Sequence, residues 1–152
     1  MIHYIIDGNN LIGKIKSLHS LQNKEKQASR EALVNILNRC FAGKKVKLTL
    51  HFDGHSNLSL QLSKGRITYS EGKTADSKIK EEIDQSKNPK LITLVLSDYN
   101  LMNYARLSSA AVIKSEDFYK EFEKSNFKNE EKERVKQLEN EKEEFLNLFS
   151  NR

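Results

Sequence analysis

Cysteine occurs once in these 152 residues, at Cys40, so no internal disulfide can staple the chain and a reducing compartment is expected. Proline also occurs once, at Pro89. No apolar run approaches the ~20 residues that a bilayer-spanning helix needs. The first apolar stretch, Ile2 to Ile6, is short and stops at a charge, which reads as a strand and not as a secretion signal. No internal repeat is present. These absences lead to the expectation of a soluble, cytoplasmic protein without a membrane partner. A lone cysteine and an isolated His51-x-Asp53-x-His55 pattern also give little support to a zinc site.

Hydrophobic residues make up 37% of the chain and charged residues 31%, which is polar, yet apolar runs recur too regularly for a disordered chain. The length suits one domain with a real core. The net charge of +5 is unevenly placed. Residues 1–50 carry nine Lys/Arg against three acids, 51–100 carry seven of each, and 101–152 carry ten against eleven. A basic excess in one third suits either a polyanion-facing surface, nucleic acid above all, or a solvated face.

The apolar pattern predicts strands at Ile2–Ile6, Val46–Phe52, Leu91–Leu96 and Ala110–Ile113, with a further short one at Arg66–Tyr69. Between them it predicts helices from about Glu25 to Phe41, from Thr74 or Asp76 to Gln85, over Asn100–Leu107, and from a Ser115 cap over Glu116–Lys124. A Gly/Asn-rich loop is expected from Gly8, and an irregular one from His55 to Gly65. Strands alternating with helices define an α/β fold with a mostly parallel sheet. The tail from Asn129 to Phe149 is dense in Glu and Lys, with Val135, Leu138, Phe145 and Phe149 on one helical stripe. It reads as a charged helix, either docked on the domain or serving as an arm for a partner.

Asp7, Asp53 and Asp98 each follow a predicted strand, and Asp76 opens a predicted helix. Each has an ordinary explanation as a turn or cap residue. Together they collect at the carboxyl edge of a parallel sheet, where ligands bind. Like charges raise one another's pKa, so such a cluster calls for a cation. Oxygen donors without soft ligands favour Mg²⁺ or Mn²⁺ over zinc, and such ions act on phosphodiesters. Asn9 and Asn10 follow Asp7 and offer amides to a water or phosphate, or else serve a left-handed loop. Thr74 and Ser97 sit beside acids as donors or caps, and His55 lies in the loop after Asp53. Lys14, Lys16, Arg30, Lys73 and Lys78 are the candidate phosphate contacts, on their nearness in sequence to these loops.

YIIDGNNLIG, FDGH, TADSKI and LSDYN, in that order, followed by AAVIKSEDFYKEF, resemble the YacP-like branch of the NYN nucleases, relatives of the PIN domain. The resemblance covers roughly residues 1–123. It implies a PIN-like three-layer α/β/α sandwich over residues 1–125, with residues 126–152 as the C-terminal charged helix. It also implies metal-dependent endoribonuclease activity on single-stranded RNA, leaving 5′-phosphate and 3′-hydroxyl ends. Asp7, Asp53, Asp76 and Asp98 would form the acidic cluster holding Mg²⁺ or Mn²⁺, and Asn10 matches the asparagine of the D-G-x-N motif. Asn9, Lys14, Arg30, His55, Thr74, Lys78 and Ser97 are then the substrate-side candidates. The branch includes a nuclease associated with translating ribosomes, which makes RNA the expected partner and the ribosome a further one. This chain departs from the pattern in carrying Asn9 where the family often has an aromatic residue, and in a near-neutral C-terminal segment.

Two rival classes stand beside the nuclease. One is an RNA- or ribosome-binding protein whose metal site is idle. The other is a signalling receiver, because Asp7, Asp53 and Lys114 loosely mimic a phosphoacceptor site, although Asp76 and Asp98 then go unexplained.

Overall fold

The computed structural model of the chain describes residues 1–56, 59–123 and 138–142. Five strands form one sheet: β1 (Ile2–Asp7), β2 (Val46–Phe52), β3 (Gly65–Tyr69), β4 (Ile92–Val95) and β5 (Ala111–Ile113). Every pairing is parallel and the order is β3-β2-β1-β4-β5. The connections reverse direction between β1 and β4, which places a topological switch point at the carboxyl end of β1. This order also removes the receiver reading, whose fold runs 2-1-3-4-5.

The helices are α1 (Gly8–Lys14), α2 (Lys16–Gln22), α3 (Lys26–Cys40), α4 (Ala75–Gln85) and α5 (Tyr99–Leu107), and residues 115–123 are also helical. They give the predicted three-layer α/β/α sandwich. The loop expected from Gly8 is instead α1 and α2. Gly and Asn are poor helix formers, but Leu11, Ile12, Ile15 and Leu18 are all buried, and that packing overrides propensity. The single proline opens a 3₁₀ turn, Pro89–Leu91, before β4. Ser115 also differs from expectation: it lies inside its helix, and Phe118 N–H bonds the Lys114 carbonyl.

The period-2 alternation of the strands divides the core between two layers. On one face Ile5, Ile92, Leu94 and Leu96 pack with Ile79 and Ile83 of α4 and Leu101, Met102 and Ala105 of α5. Each such fully buried side chain contributes about 1.5–3 kcal/mol. On the other, the ring of Tyr4 meets Phe41 and Phe118 with centroids 5.8 and 5.5 Å away. Gly65 is required where β3 joins the sheet, because a Cβ there would sit 1.7 Å from the Leu48 carbonyl oxygen.

The chain divides into two compact units, Met1–Tyr119 and Lys120–Arg152. In the second, residues 138–142 are helical and Leu138 is exposed. The expected stripe partners Val135, Phe145 and Phe149 lie outside the described residues. Among the described residues, no helix is long and apolar enough to cross a membrane.

A polar seam replaces apolar packing beneath α4. Lys47, Thr49 and His51 alternate along β2 between Leu48, Leu50 and Phe52. Glu82 of α4 reaches this seam: His51 Nε2 donates to its Oε1 at 3.0 Å, and Arg66 Nη2 donates to its Oε2 at 3.1 Å. His3 Nε2 bonds the Thr49 hydroxyl at 2.7 Å, and that hydroxyl bonds Glu82 in turn. Burial drives the Glu82 carboxyl up, but these donors and the His51 ring outweigh it and hold its pKa at about 2. Burial first, then Lys47 and Arg66, lower the pKa of His3 against the pull of Glu82, so its 3.8 Å approach to Glu82 is not an ion pair between charged groups near neutrality.

A carboxylate with a depressed folded pKa stabilises the fold above its ordinary value of 4.5, and that stabilisation is lost as pH falls toward 2. Glu82→Gln should therefore lower stability at pH 7 by roughly 2 kcal/mol and flatten the acid limb of a stability profile between those two values. Urea denaturation across that range checks this; an unchanged acid slope in the variant contradicts it.

Candidate functional site

Three helix N-termini converge on the carboxyl edge of the sheet, and an aspartate meets each of them. Asp7 ends β1 and caps α1, its Oδ1 accepting from Asn10 N at 3.2 Å. Asp98 follows β4 and caps α5, accepting from Leu101 N at 3.1 Å. Asp53 follows β2 and accepts from Ala75 N, the first residue of α4, at 2.9 Å. Thr74 completes the α4 cap by accepting from Ser77 N, and Asp76 lies in the first helical turn. Each of these contacts also sets the carboxylate against the positive end of a helix.

The four acids interact through space. Asp7 is 8% exposed, and its pKa is pushed up to about 6, by burial first and then by Asp76 and Asp53, against the Asn10 N–H bond and the His51 ring. Asp76 is likewise raised by burial, then by Asp98 and Asp53, against Lys80. Among the described residues, no three His, Cys, Asp or Glu side chains draw close enough to chelate an ion directly. The donor set nonetheless fits a hydrated hard cation. Capping takes one oxygen each of Asp7, Asp53 and Asp98 and leaves the other, and Mg²⁺ retains several waters while using few carboxylates.

Gly8 brings this edge together. A Cβ at that position would sit 2.5 Å from Phe52 Cε1 and 2.8 Å from the His51 carbonyl oxygen, so only glycine lets α1 start this close to the end of β2. Asn9 and Asn10 are helical and not left-handed, contrary to the loop reading. Asn9 Oδ1 accepts from Asp53 N at 3.1 Å, which ties β1 to β2. Asn10 Oδ1 accepts from Ser97 N at 3.1 Å and from the Ser115 hydroxyl at 2.7 Å, which ties β1 to the ends of β4 and β5. Ser97 donates its own hydroxyl to Glu116 at 2.8 Å and accepts from Ser115 N.

Arg30 departs furthest from expectation. It is 2% exposed and cannot reach a substrate phosphate. Its Nη1 donates to the His55 carbonyl at 2.9 Å and its Nη2 to the Asp53 carbonyl. The guanidinium carbon lies 5.1 and 5.4 Å from the ring centroids of Phe52 and Tyr69. The helical periodicity of α3 places Arg30 next to Leu33 and Val34 on the inward side, so it anchors the turn behind Asp53. The Gly54 N–H bond to Ser70 Oγ, at 2.9 Å, holds the same turn from β3.

Among the remaining candidates, Lys14 and the His55 side chain are exposed and Lys78 is half-buried. Lys73 is paired with Glu81 at 2.9 Å. Two residues at this edge are not among the site candidates of the sequence, although Ser115 reads there as a helix cap. Ser115 is fully buried, and its partner Asn10 is 105 residues away, a pairing that no local pattern carries. Tyr99 follows Asp98 with 70% of its surface exposed; a large ring at the first position of a helix was the signal available.

A parallel 3-2-1-4-5 sheet with carboxylates at its switch point, layered by helices on both faces, places the molecule among the PIN-like α/β sandwiches, a superfamily of nucleases. The model of the YacP-like NYN domain family matches residues 4–151, and the chain belongs to that family. The crystal structure of Rae1 (YacP) from Bacillus subtilis, as a W164L mutant, is similar with a TM-score of 0.73 at 20% identity, covering 86% of this chain and 80% of that one. A second Rae1 (YacP) crystal structure from the same organism gives a TM-score of 0.70 at 18% identity, covering 93% and 84%. Comparison with curated proteins returns no match.

Replacing Asn10 by Ala leaves the Ser97 amide and the buried Ser115 hydroxyl without their acceptor, at a cost of about 2–3 kcal/mol. Asn10→Asp keeps the oxygen and should recover part of that loss. Equilibrium denaturation checks the series; an Asn10→Ala protein as stable as the wild type contradicts the tie.

Proposed function

We propose that the chain is a divalent-cation-dependent endoribonuclease that hydrolyses phosphodiester bonds of single-stranded RNA. The observation that carries this reading is the mutual crowding of Asp7, Asp53, Asp76 and Asp98 at the switch point, where burial and like charge together raise Asp7 to about 6. Membership of the YacP-like NYN family supports it. These four residues would hold Mg²⁺ or Mn²⁺, which when bound supplies charge neutralisation, water activation and stabilisation of the leaving oxygen.

The chain's own residues contribute position and charge. Capping bonds fix Asp7, Asp53 and Asp98 to the rigid ends of three helices, so that little reorganisation is needed when substrate binds. Asn9 and Asn10 lock the strand ends that carry the acids. Lys14, Lys78, the His55 side chain and Thr74 would serve as phosphate contacts, and the Tyr99 ring, which is exposed, would offer a stacking surface to an unpaired base. The products are 5′-phosphate and 3′-hydroxyl ends, and the buried free thiol of Cys40 accords with a cytoplasmic setting. The ribosome is the candidate larger partner.

Asp7→Asn separates this reading from a purely structural one. The amide retains the capping oxygen but removes a charge whose ionisation the fold disfavours. A carboxylate with a raised folded pKa destabilises the fold above its ordinary value, so the variant should gain about 1–3 kcal/mol at pH 7. It should also lose cleavage of unstructured RNA by at least about a hundredfold, as should Asp98→Asn. Both are checked on protein purified free of host nucleases. Full cleavage by either variant contradicts the proposal, as does tight RNA binding by the wild type without turnover in any divalent metal.

A further inference from the structure

At the end of the sheet opposite the carboxylates lies a cleft of about 310 Å³, lined by His3, Lys47, Arg66, Glu82, Ser86 and Lys87 among others. The strands set its geometry. His3 and Lys47 pair across β1 and β2, and Arg66 pairs with Thr49, one strand further on and two residues nearer the carboxyl edge, so the three side chains share one face of neighbouring strands. Ser86 and Lys87 enter from the end of α4. His3 of the cleft and Asp7 of the carboxylate edge are four residues apart on β1, about 13 Å along the strand.

The charge of this cleft is strongly biased. Glu82 is the one acid lining it, 11% exposed and already bonded by His51, Thr49 and Arg66. The Arg66 side chain is 65% exposed, and a guanidinium that gives one nitrogen to Glu82 keeps others for a second acceptor. Among the described residues, neither Lys47 nor Lys87 forms an ion pair. Lys45, Lys64 and Lys90 extend the same sign along the segments that enter β2, β3 and β4.

The chemistry of the lining discriminates between occupants. It contains no aliphatic or aromatic anchor, which a docked peptide needs to generate affinity. A phosphodiester backbone needs none, because its binding comes from neutralised phosphates and released counterions. We infer that this cleft binds the phosphates of an RNA backbone, independently of base sequence and away from the carboxylate edge. Lys47, Arg66 and Lys87 supply the contacts, and Glu82 holds Arg66 in place from below. The choice of RNA among polyanions rests on the nuclease reading, and a binding measurement without divalent metal keeps the two tests distinct, because it needs no cleavage.

The test measures binding of a long unstructured RNA to the full chain in EDTA, by fluorescence anisotropy over a range of NaCl concentrations. Lys47→Ala/Lys87→Ala is compared with Lys47→Arg/Lys87→Arg; both positions are exposed, so the fold is preserved. For single strands each lost phosphate contact lowers the slope of log K against log [salt] by about 0.7, so the alanine pair should lower it by about 1.4 and weaken binding about tenfold at low salt. The arginine pair should retain wild-type affinity. Unchanged affinity and slope in the alanine pair overturn the inference. So does an RNA affinity left intact while binding of polyglutamate is lost, which assigns the cleft to an acidic protein partner.

Discussion

The carboxyl edge of the sheet depends on three aspartates, each of which offers two carboxylate oxygens. One oxygen of Asp7, Asp53 and Asp98 accepts the orphan N–H of a helix start, and that bond brings α1, α4 and α5 to the same edge of the sheet. The three carboxylates are thereby brought to the carboxyl edge around the switch point between β1 and β4. Helix ends offset part of the repulsion that this gathering creates, and the pKa of Asp7 and Asp76 is raised by burial first and by the neighbouring acids second. Everything nearby serves that edge: Gly8 permits the close approach, Asn9 and Asn10 tie the strand ends, and Arg30 pins the turn behind Asp53.

Beneath α4 the same strands make a different compromise. β2 turns Leu48, Leu50 and Phe52 to one layer and Lys47, Thr49 and His51 to the other. Glu82 makes the second set tolerable by accepting from His51 Nε2, Thr49 and Arg66, while the buried His51 Nδ1 is left without a partner. The stripe runs the length of β2, from the basic cleft at one end to His51, whose ring acts on Asp7, at the other. The two ends of the sheet thus carry opposite character, acidic where chemistry is proposed and basic where RNA backbone is inferred to lie.

Much of the fold was legible because strand alternation and helix periodicity follow directly from burial. The five strands and four of the described helices lie within a few residues of their predicted positions. α1 and α2 were not legible, since Gly8, Asn9 and Asn10 have the composition of a loop and only packing of Leu11, Ile12, Ile15 and Leu18 makes them helical. At the site, sequence offered metal binding beside an ordinary role for each aspartate, a turn for Asp7 and Asp53 and a cap for Asp76 and Asp98. Capping is what the structure shows for three of them, and it is compatible with the proposed second role. Arg30 was misplaced because nearness in sequence says nothing about which side of a helix faces the core. Ser115 and Glu82 act through partners 105 and 31 residues away, a distance at which local pattern carries no information.

The central claim is that the crowded carboxylates at the switch point exist to hold a divalent cation. Crystals of the full chain soaked in Mn²⁺ and measured at the manganese absorption edge test it most directly. The account predicts anomalous density among Asp7, Asp53, Asp76 and Asp98 in the wild type, lost in Asp7→Asn crystals soaked identically. Density absent from that edge in well-ordered wild-type crystals, or found at Glu82 instead, would contradict it.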